Sequence, residues 1–282
     1  MRQAALDRLV APLSGAQFRR RYWPDQTYFT HGRLARLRGL CDLPELATIE
    51  SALKIQCRAV VAHGRSTDGE YLAFTALSKQ AGTLYDAGLS VYLVDIVSAS
   101  PTLADWVQAL YSELRLPART LTPRLLASPK GAGLRMHFDP QEGLIIQLKG
   151  RKVWRVAPNR HIAYPPDGYV TGQEMLQAVA ELAPKRLPQE LPTDAETIEM
   201  RPGSVLFLPR GWWHETETAE DSLHLDLRIE LPTWEQLAGA EISRLLRRLE
   251  RWRAPAVRAW PEMRSQLLRD LAELPPSRPV RS

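Results

Sequence analysis

Between about residue 121 and residue 231 the chain is cut into short apolar runs by turn residues, and this constrains the fold more than any other feature. Leu144-Ile145-Ile146-Gln147-Leu148 is followed by Lys149-Gly150-Arg151 and then by Lys152-Val153-Trp154-Arg155-Val156. Further on, Ser204-Val205-Leu206-Phe207-Leu208 leads into Pro209-Arg210-Gly211, and Ser222-Leu223-His224-Leu225-Asp226-Leu227-Arg228-Ile229 alternates apolar and polar residues throughout. Successive side chains of a strand point to opposite faces, so strict alternation predicts a half-buried strand. Many short strands at close spacing predict a small barrel or sandwich. The stretch near 165–195 breaks the rhythm with a helical pattern over 173–182 and several prolines, and is expected to be an insertion between strands.

The flanks read differently. Residues 1 to about 120 are mixed α/β: apolar residues recur at helical spacing over 46–53 and 102–116, 90–96 is β-branched and aromatic enough for a strand, and a short helix must stop before Pro24. After Pro232 the pattern is helical. Residues 234–252 place Leu237, Ile242, Leu245, Leu246 and Leu249 on one stripe, with Arg244, Arg247, Arg248 and Arg251 around it, and a second helix is expected over 262–274. That stripe exceeds what a thin helix pair buries alone, which suggests a homodimer element; capping of the barrel is the other reading. The expected organisation is an N-terminal α/β part over 1–120 packing on the barrel, a β core over 121–231, and a C-terminal helical segment over 232–282.

With 282 residues, 44% of them hydrophobic and 24% charged, the chain can bury a sizeable core, which excludes general disorder. No apolar stretch approaches the roughly 18–20 residues that span a bilayer, and the first eight residues lack the apolar block of a secretion signal, so a cytoplasmic location is expected. Cys41 and Cys57 have neither C-x-x-C spacing nor a neighbouring histidine and read as small hydrophobes. The excess of 37 Lys+Arg over 32 Asp+Glu, a net charge of +5, is compatible with an RNA partner but equally with solvated helix faces.

Of the six histidines, two sit in unusual settings. His137 opens His137-Phe138-Asp139 after the flexible Gly131-Ala132-Gly133, and i, i+2 spacing in a strand turns imidazole and carboxylate toward one point. His214 lies 75 residues past that aspartate, where a Pro-Gly turn, a strand and a second turn deliver it to the start of the next element. Two histidines and one aspartate make a facial triad, which leaves positions open on a metal and, without thiolate, suits Fe(II) better than a structural zinc. Lys152, 15 residues past His137, begins a strand from which a cation can reach into the barrel and clamp the distal carboxylate of a dicarboxylic co-substrate.

The segments Leu134-Arg135-Met136-His137-Phe138-Asp139, Ile145 to Val156, and Pro202 to His214 together resemble the JmjC/cupin-type Fe(II)- and 2-oxoglutarate-dependent oxygenases, most of all the protein hydroxylases of the asparaginyl-hydroxylase and ribosomal-oxygenase kind. The resemblance covers about 121–231 well and the N-terminal part more thinly. It implies a mainly β double-stranded β-helix (a cupin jelly roll) with flanking helices, Fe(II) on His137, Asp139 and His214, 2-oxoglutarate on Lys152, and O2 as oxidant. It also matches Tyr92 to a tyrosine that touches the co-substrate carboxylate, although a core aromatic fits that position equally. Some relatives carry a hydroxyl side chain where this chain has Leu134 and a polar residue where it has Gly143, which leaves Lys152 more isolated as the anchor.

The implied activity is hydroxylation of a protein or peptide side chain with release of succinate and CO2; demethylation of a methylated lysine is the same chemistry. An RNA-directed or small-molecule oxygenase, and a non-catalytic cupin-fold protein holding a metal or ligand, remain as rivals. Arg135 and Ser128, flanking the first histidine strand, are candidate substrate contacts. His224 reads as a structural histidine with its bonds satisfied, and His31, His63 and His161 as surface groups near turns. Trp212-Trp213 is expected to fix its turn by packing, and Glu215 either to support His214 or to face solvent.

Overall fold

Alternation of short runs and turns does produce strands, thirteen of them among the residues that the computed structural model describes, namely 4–65, 71–117, 119–184, 186–255 and 260–273. In chain order they are β1 (Tyr28–Thr30), β2 (Ala59–Arg65), β3 (Tyr71–Ala76), β4 (Ser90–Val94), β5 (Leu121–Ser128), β6 (Gly133–Phe138) and β7 (Glu142–Lys149). After them come β8 (Lys152–Ala157), β9 (Tyr169–Val170), β10 (Glu196–Met200), β11 (Val205–Leu208), β12 (Trp213–Thr218) and β13 (Ser222–Ile229). They form two sheets, one ordered β1-β11-β7-β13-β5-β4-β2-β3 and the other β10-β8-β12-β6-β9. Every pairing is antiparallel. This is the double-stranded β-helix that the resemblance implies. The four strands before residue 120 hydrogen-bond into the larger sheet, so the N-terminal part extends that sheet as well as packing on it.

Three apolar clusters follow from the alternation. The outer face of the larger sheet, with Leu125, Leu144, Ile146, Leu225 and Leu227, packs against helices that include Pro101–Leu114. The outer face of the smaller sheet, through Met136, Phe138 and Trp213, packs against Ile162, Val179, Leu187 and Leu191 of the inserted stretch. Between the sheets, Ile145, Trp154, Val156, Leu206 and Leu208 fill part of the barrel. The polar face of β13 therefore looks into the barrel.

Several helices are shorter than the periodicity predicts. Within 173–182 only Gln177–Ala180 is helical; Pro184, which disfavours a helical residue before it, follows closely. The 46–53 pattern splits because Thr48 caps a new helix, Ile49–Ala52, its hydroxyl accepting from Ser51 N at 3.0 Å. The pattern over 234–252 breaks into helices Trp234–Leu246 and Glu250–Arg253, and the last helix is Trp260–Glu273. By contacts the chain divides after Leu231 into two units. Within the second, Arg251 and Trp252 both donate to the buried carboxylate of Asp270.

Candidate metal centre

β6 and β12 pair so that His137 lies directly opposite His214. Two residues further along β12, Thr216 faces Leu134, so β6 holds one extra residue in the interval. This β-bulge re-aims the strand: Met136 and Phe138 pack outward, while Leu134 lines the same interior cavity as His214. On the other strand, Gly211 has φ +78, and a Cβ there would lie 2.5 Å from Pro165 Cδ. Only glycine closes this turn without strain. Its N–H donates to Asp139 O at 2.8 Å, tying the loop before His214 to the segment after His137.

The result is a tight cluster. One ligand atom from each of His137, Asp139 and His214 lies within 4.8 Å of the others. The imidazole centroids are 3.9 Å apart, and His214 Nε2 is 3.7 Å from Asp139 Oδ2. His137 Nδ1 donates to Arg135 O at 2.6 Å and His214 Nδ1 to Trp212 O at 3.0 Å. Because a carbonyl only accepts, these bonds put the proton on Nδ1 of each ring and leave the Nε2 lone pair for a metal. Burial, with His137 adjacent, pushes the His214 pKa down to about 3, so the ring is neutral. Burial opposes the Asp139 charge, but His137, His214, Arg228 and Arg124 together hold its pKa below the ordinary carboxylate value. Two imidazole nitrogens and one carboxylate oxygen, with no thiolate, fit an Fe(II)-type ion.

Behind the cluster stands Lys152. Gly150, at φ +63, makes the tight turn that starts β8, and Lys152 is fully buried there. Its Nζ donates to Ser128 Oγ at 3.0 Å, and Ser90 Oγ donates to the same hydroxyl at 3.1 Å. Among the described residues no carboxylate pairs with it, and burial lowers its pKa to about 7. A buried ammonium without a counter-charge is a place for an anion.

Other expected residues fall as follows. Tyr92 lines the cavity shared by Asp139 and His214, and burial raises its phenol pKa well above the usual value. Ser128, expected as a substrate contact, is instead fully buried, its hydroxyl accepting from Lys152 Nζ. Arg135 lies over the Tyr71 ring at 5.7 Å and borders an open cleft. Trp213 is buried against Phe138, 4.7 Å between centroids, as a packing residue. Glu215 pairs with Arg155 at 2.5 Å rather than with His214.

Two expectations need correction. His224 is 1% exposed with both ring nitrogens unpartnered, not satisfied. His63 is not a surface group: β2 carries it against β4, its Nδ1 lies 2.8 Å from Tyr71 Oη, its ring packs on Tyr92 at 5.5 Å, and burial lowers its pKa to about 4. Asp226, with Arg228 two residues on and Arg124 opposite it in register, was not singled out. Burial raises the Asp226 pKa to about 6 although the arginines oppose the shift. Their alternation with Leu225 and Leu227 was the available signal; which face is interior was not.

Residues 110–237 match the family model of the JmjC domain. The uncharacterized protein YxbC of Bacillus subtilis (strain 168) is 28% identical over 265 residues, covering 90% of this chain and 79% of that one. Ribosomal oxygenase 1 of Homo sapiens is 26% identical over 252 residues, covering 81% of this chain and 34% of the relative. The chain thus spans about a third of the length of that relative. Among solved structures, YcfD, a ribosomal oxygenase from Escherichia coli in complex with cobalt and 2-oxoglutarate, superposes with a TM-score of 0.58 at 18% identity, over 93% of this chain and 68% of that chain. This likeness is one of fold.

Proposed function

We propose that the chain, whose residues 110–237 match the JmjC domain model, is an Fe(II)- and 2-oxoglutarate-dependent oxygenase that hydroxylates a protein or peptide side chain. The observation that carries the reading is the convergence of His137, Asp139 and His214, all three offering ligand atoms within 4.8 Å. When bound, Fe(II) with 2-oxoglutarate and O2 supplies the oxidising power for C–H hydroxylation, with succinate and CO2 as co-products.

The chain's own residues supply the rest. His137, Asp139 and His214 would hold the metal through atoms that already lie within 4.8 Å of one another. Lys152 binds the distal carboxylate of 2-oxoglutarate, helped by the Ser128 hydroxyl beside it. Tyr92 lines the cavity that Asp139 and His214 share. Trp154, stacked on His214 at 5.7 Å, excludes water from the inner side of that ligand. Arg135, over Tyr71 at the open cleft, is placed to touch substrate. A protein substrate is favoured by the similarity to ribosomal oxygenases. A cytoplasmic location is part of this proposal. No helix among the described residues is long and apolar enough to cross a membrane. The proposal also makes the C-terminal helices a homodimer element, which the exposure of Trp234 (87%), Leu237 and Ile242 supports.

The test is iron-dependent succinate release from 2-oxoglutarate, together with the visible spectrum of the Co(II)-loaded protein. Wild type is expected to give both; His137→Ala is expected to lose both. Succinate release unaffected by H137A, or a Co(II) spectrum identical to that of H137A, removes the first ligand and the reading with it.

A further inference from the structure

Facing the barrel interior is an imidazole that the reading above leaves idle. His224 is 1% exposed, and neither of its ring nitrogens has a hydrogen-bond partner. Trp154 Nε1 and Thr218 Oγ1 are buried and unpartnered in the same way. Buried polar atoms are nearly always paired in folded proteins, so orphans on β8, β12 and β13 point to a polar ligand.

Their placement says which end of the ligand. On β13, His224 lies between Leu126 of β5 and Gln147 of β7. Across the barrel its ring is 5.9 Å from Trp154, whose indole is in turn stacked 5.7 Å from His214. The indole therefore stands between His224 and the metal cluster. Lys152 precedes Trp154 by two residues on the same face of β8 and sits opposite Thr218 of β12 in register. Ser222, two residues before His224, pairs with Ser128, which receives the Lys152 hydrogen bond. By strand register His224 thus lies toward Lys152, and the other titratable groups lining the cavity that it borders are Tyr92, Asp139, Glu142, His214, Asp226 and Arg228.

We propose that His224 is a second anchor for the distal carboxylate of 2-oxoglutarate, donating one ring N–H to the oxygen that Lys152 leaves free. The proposal rests on the co-substrate reading and adds this chain's own residue to it. A carboxylate offers about four lone-pair sites, more than one ammonium and one hydroxyl fill. Burial, with the Lys152 charge adding to it, keeps the imidazole neutral, so it brings one donor without a second buried charge. Held on separate sheets, His224 and Lys152 fix the carboxylate from two sides and set how long a 2-oxo acid can be.

The test loads the full chain with Zn(II), which prevents turnover, and measures binding of 2-oxoglutarate and of pyruvate, a 2-oxo acid without the distal carboxylate. His224→Leu is expected to weaken 2-oxoglutarate at least tenfold, the loss of one hydrogen bond to a charged group, and to leave pyruvate within twofold. His224→Gln, which keeps an N–H donor, is expected to recover most of the loss. In wild type labelled with 15N-histidine, 2-oxoglutarate but not pyruvate is expected to move the His224 ring resonances, a readout that needs no variant. Metal-free H224L is expected to melt at or above wild type, because two unpaired buried nitrogens are gone; should it not fold, His224→Met carries the same comparison. Equal weakening of both acids, or none, overturns the anchor. Wild type that binds 2-oxoglutarate no better than pyruvate instead overturns the co-substrate reading beneath it.

Discussion

Replacing Lys152 by methionine keeps the length of the buried side chain and removes its charge. In wild type the ammonium has one neutral partner, Ser128 Oγ at 3.0 Å, and burial has brought its pKa to about 7. A charge-assisted hydrogen bond from it to a carboxylate contributes about 1.5–3 kcal/mol. Charging the amine first costs about 0.4 kcal/mol at pH 7 and about 1.4 kcal/mol one pH unit higher. At pH 7 the variant is therefore expected to bind 2-oxoglutarate about 6- to 80-fold more weakly. Wild-type affinity is expected to fall up to tenfold per pH unit above 7, until the pH reaches the higher pKa of the liganded lysine, while K152M responds much less. Stability of the free protein carries the opposite signature. An unfolded lysine titrates near 10.5, so between about pH 7 and 10.5 the unfolded chain binds the extra proton, and this group makes the wild type more stable as pH rises. K152M lacks that dependence and is expected to be the more stable of the two at neutral pH. Calorimetry of 2-oxoglutarate binding to the Zn(II)-loaded protein from pH 6 to 9, with urea unfolding of the metal-free protein over the same range, reads both. An affinity unchanged by K152M, or a wild-type affinity that rises with pH, would refute the assignment of the lysine.

Three further outcomes are expected. Gly211→Ala puts a Cβ 2.5 Å from Pro165 Cδ at φ +78, and is expected to lower stability by about 1–3 kcal/mol and weaken Co(II) binding, since this turn's N–H holds Asp139 O; unchanged metal affinity would separate the turn from the site. Trp213→Ala removes a side chain 1% exposed against Phe138 and Tyr169, and is expected to cost about 3–5 kcal/mol in urea unfolding, with the inserted stretch the first to be cleaved by protease. Leu237→Glu with Ile242→Glu is expected to convert a dimer to a monomer in light scattering without changing Co(II) binding; a wild type already monomeric at micromolar concentration excludes the dimer.

Much of the centre was legible because its signals are local. His137 and Asp139 share one short segment, Gly211 and Pro209 mark the turn that presents His214, and Gly150 marks the one that starts the Lys152 strand; each is set by backbone geometry over a few residues. The alternation of 222–229 likewise determined that Ser222, His224, Asp226 and Arg228 share a face. What alternation cannot carry is which face becomes the interior, because that depends on a second sheet closing over the first. Tertiary structure alone turned His224 and Ser128 inward beside Lys152, brought His63 of β2 against Tyr92 of β4, and inserted the bulge that aims His137 at His214. A strand's own residues dictate its periodicity, whereas burial is a property of what packs against it, and those partners come from far along the chain, as when β1 pairs with β11.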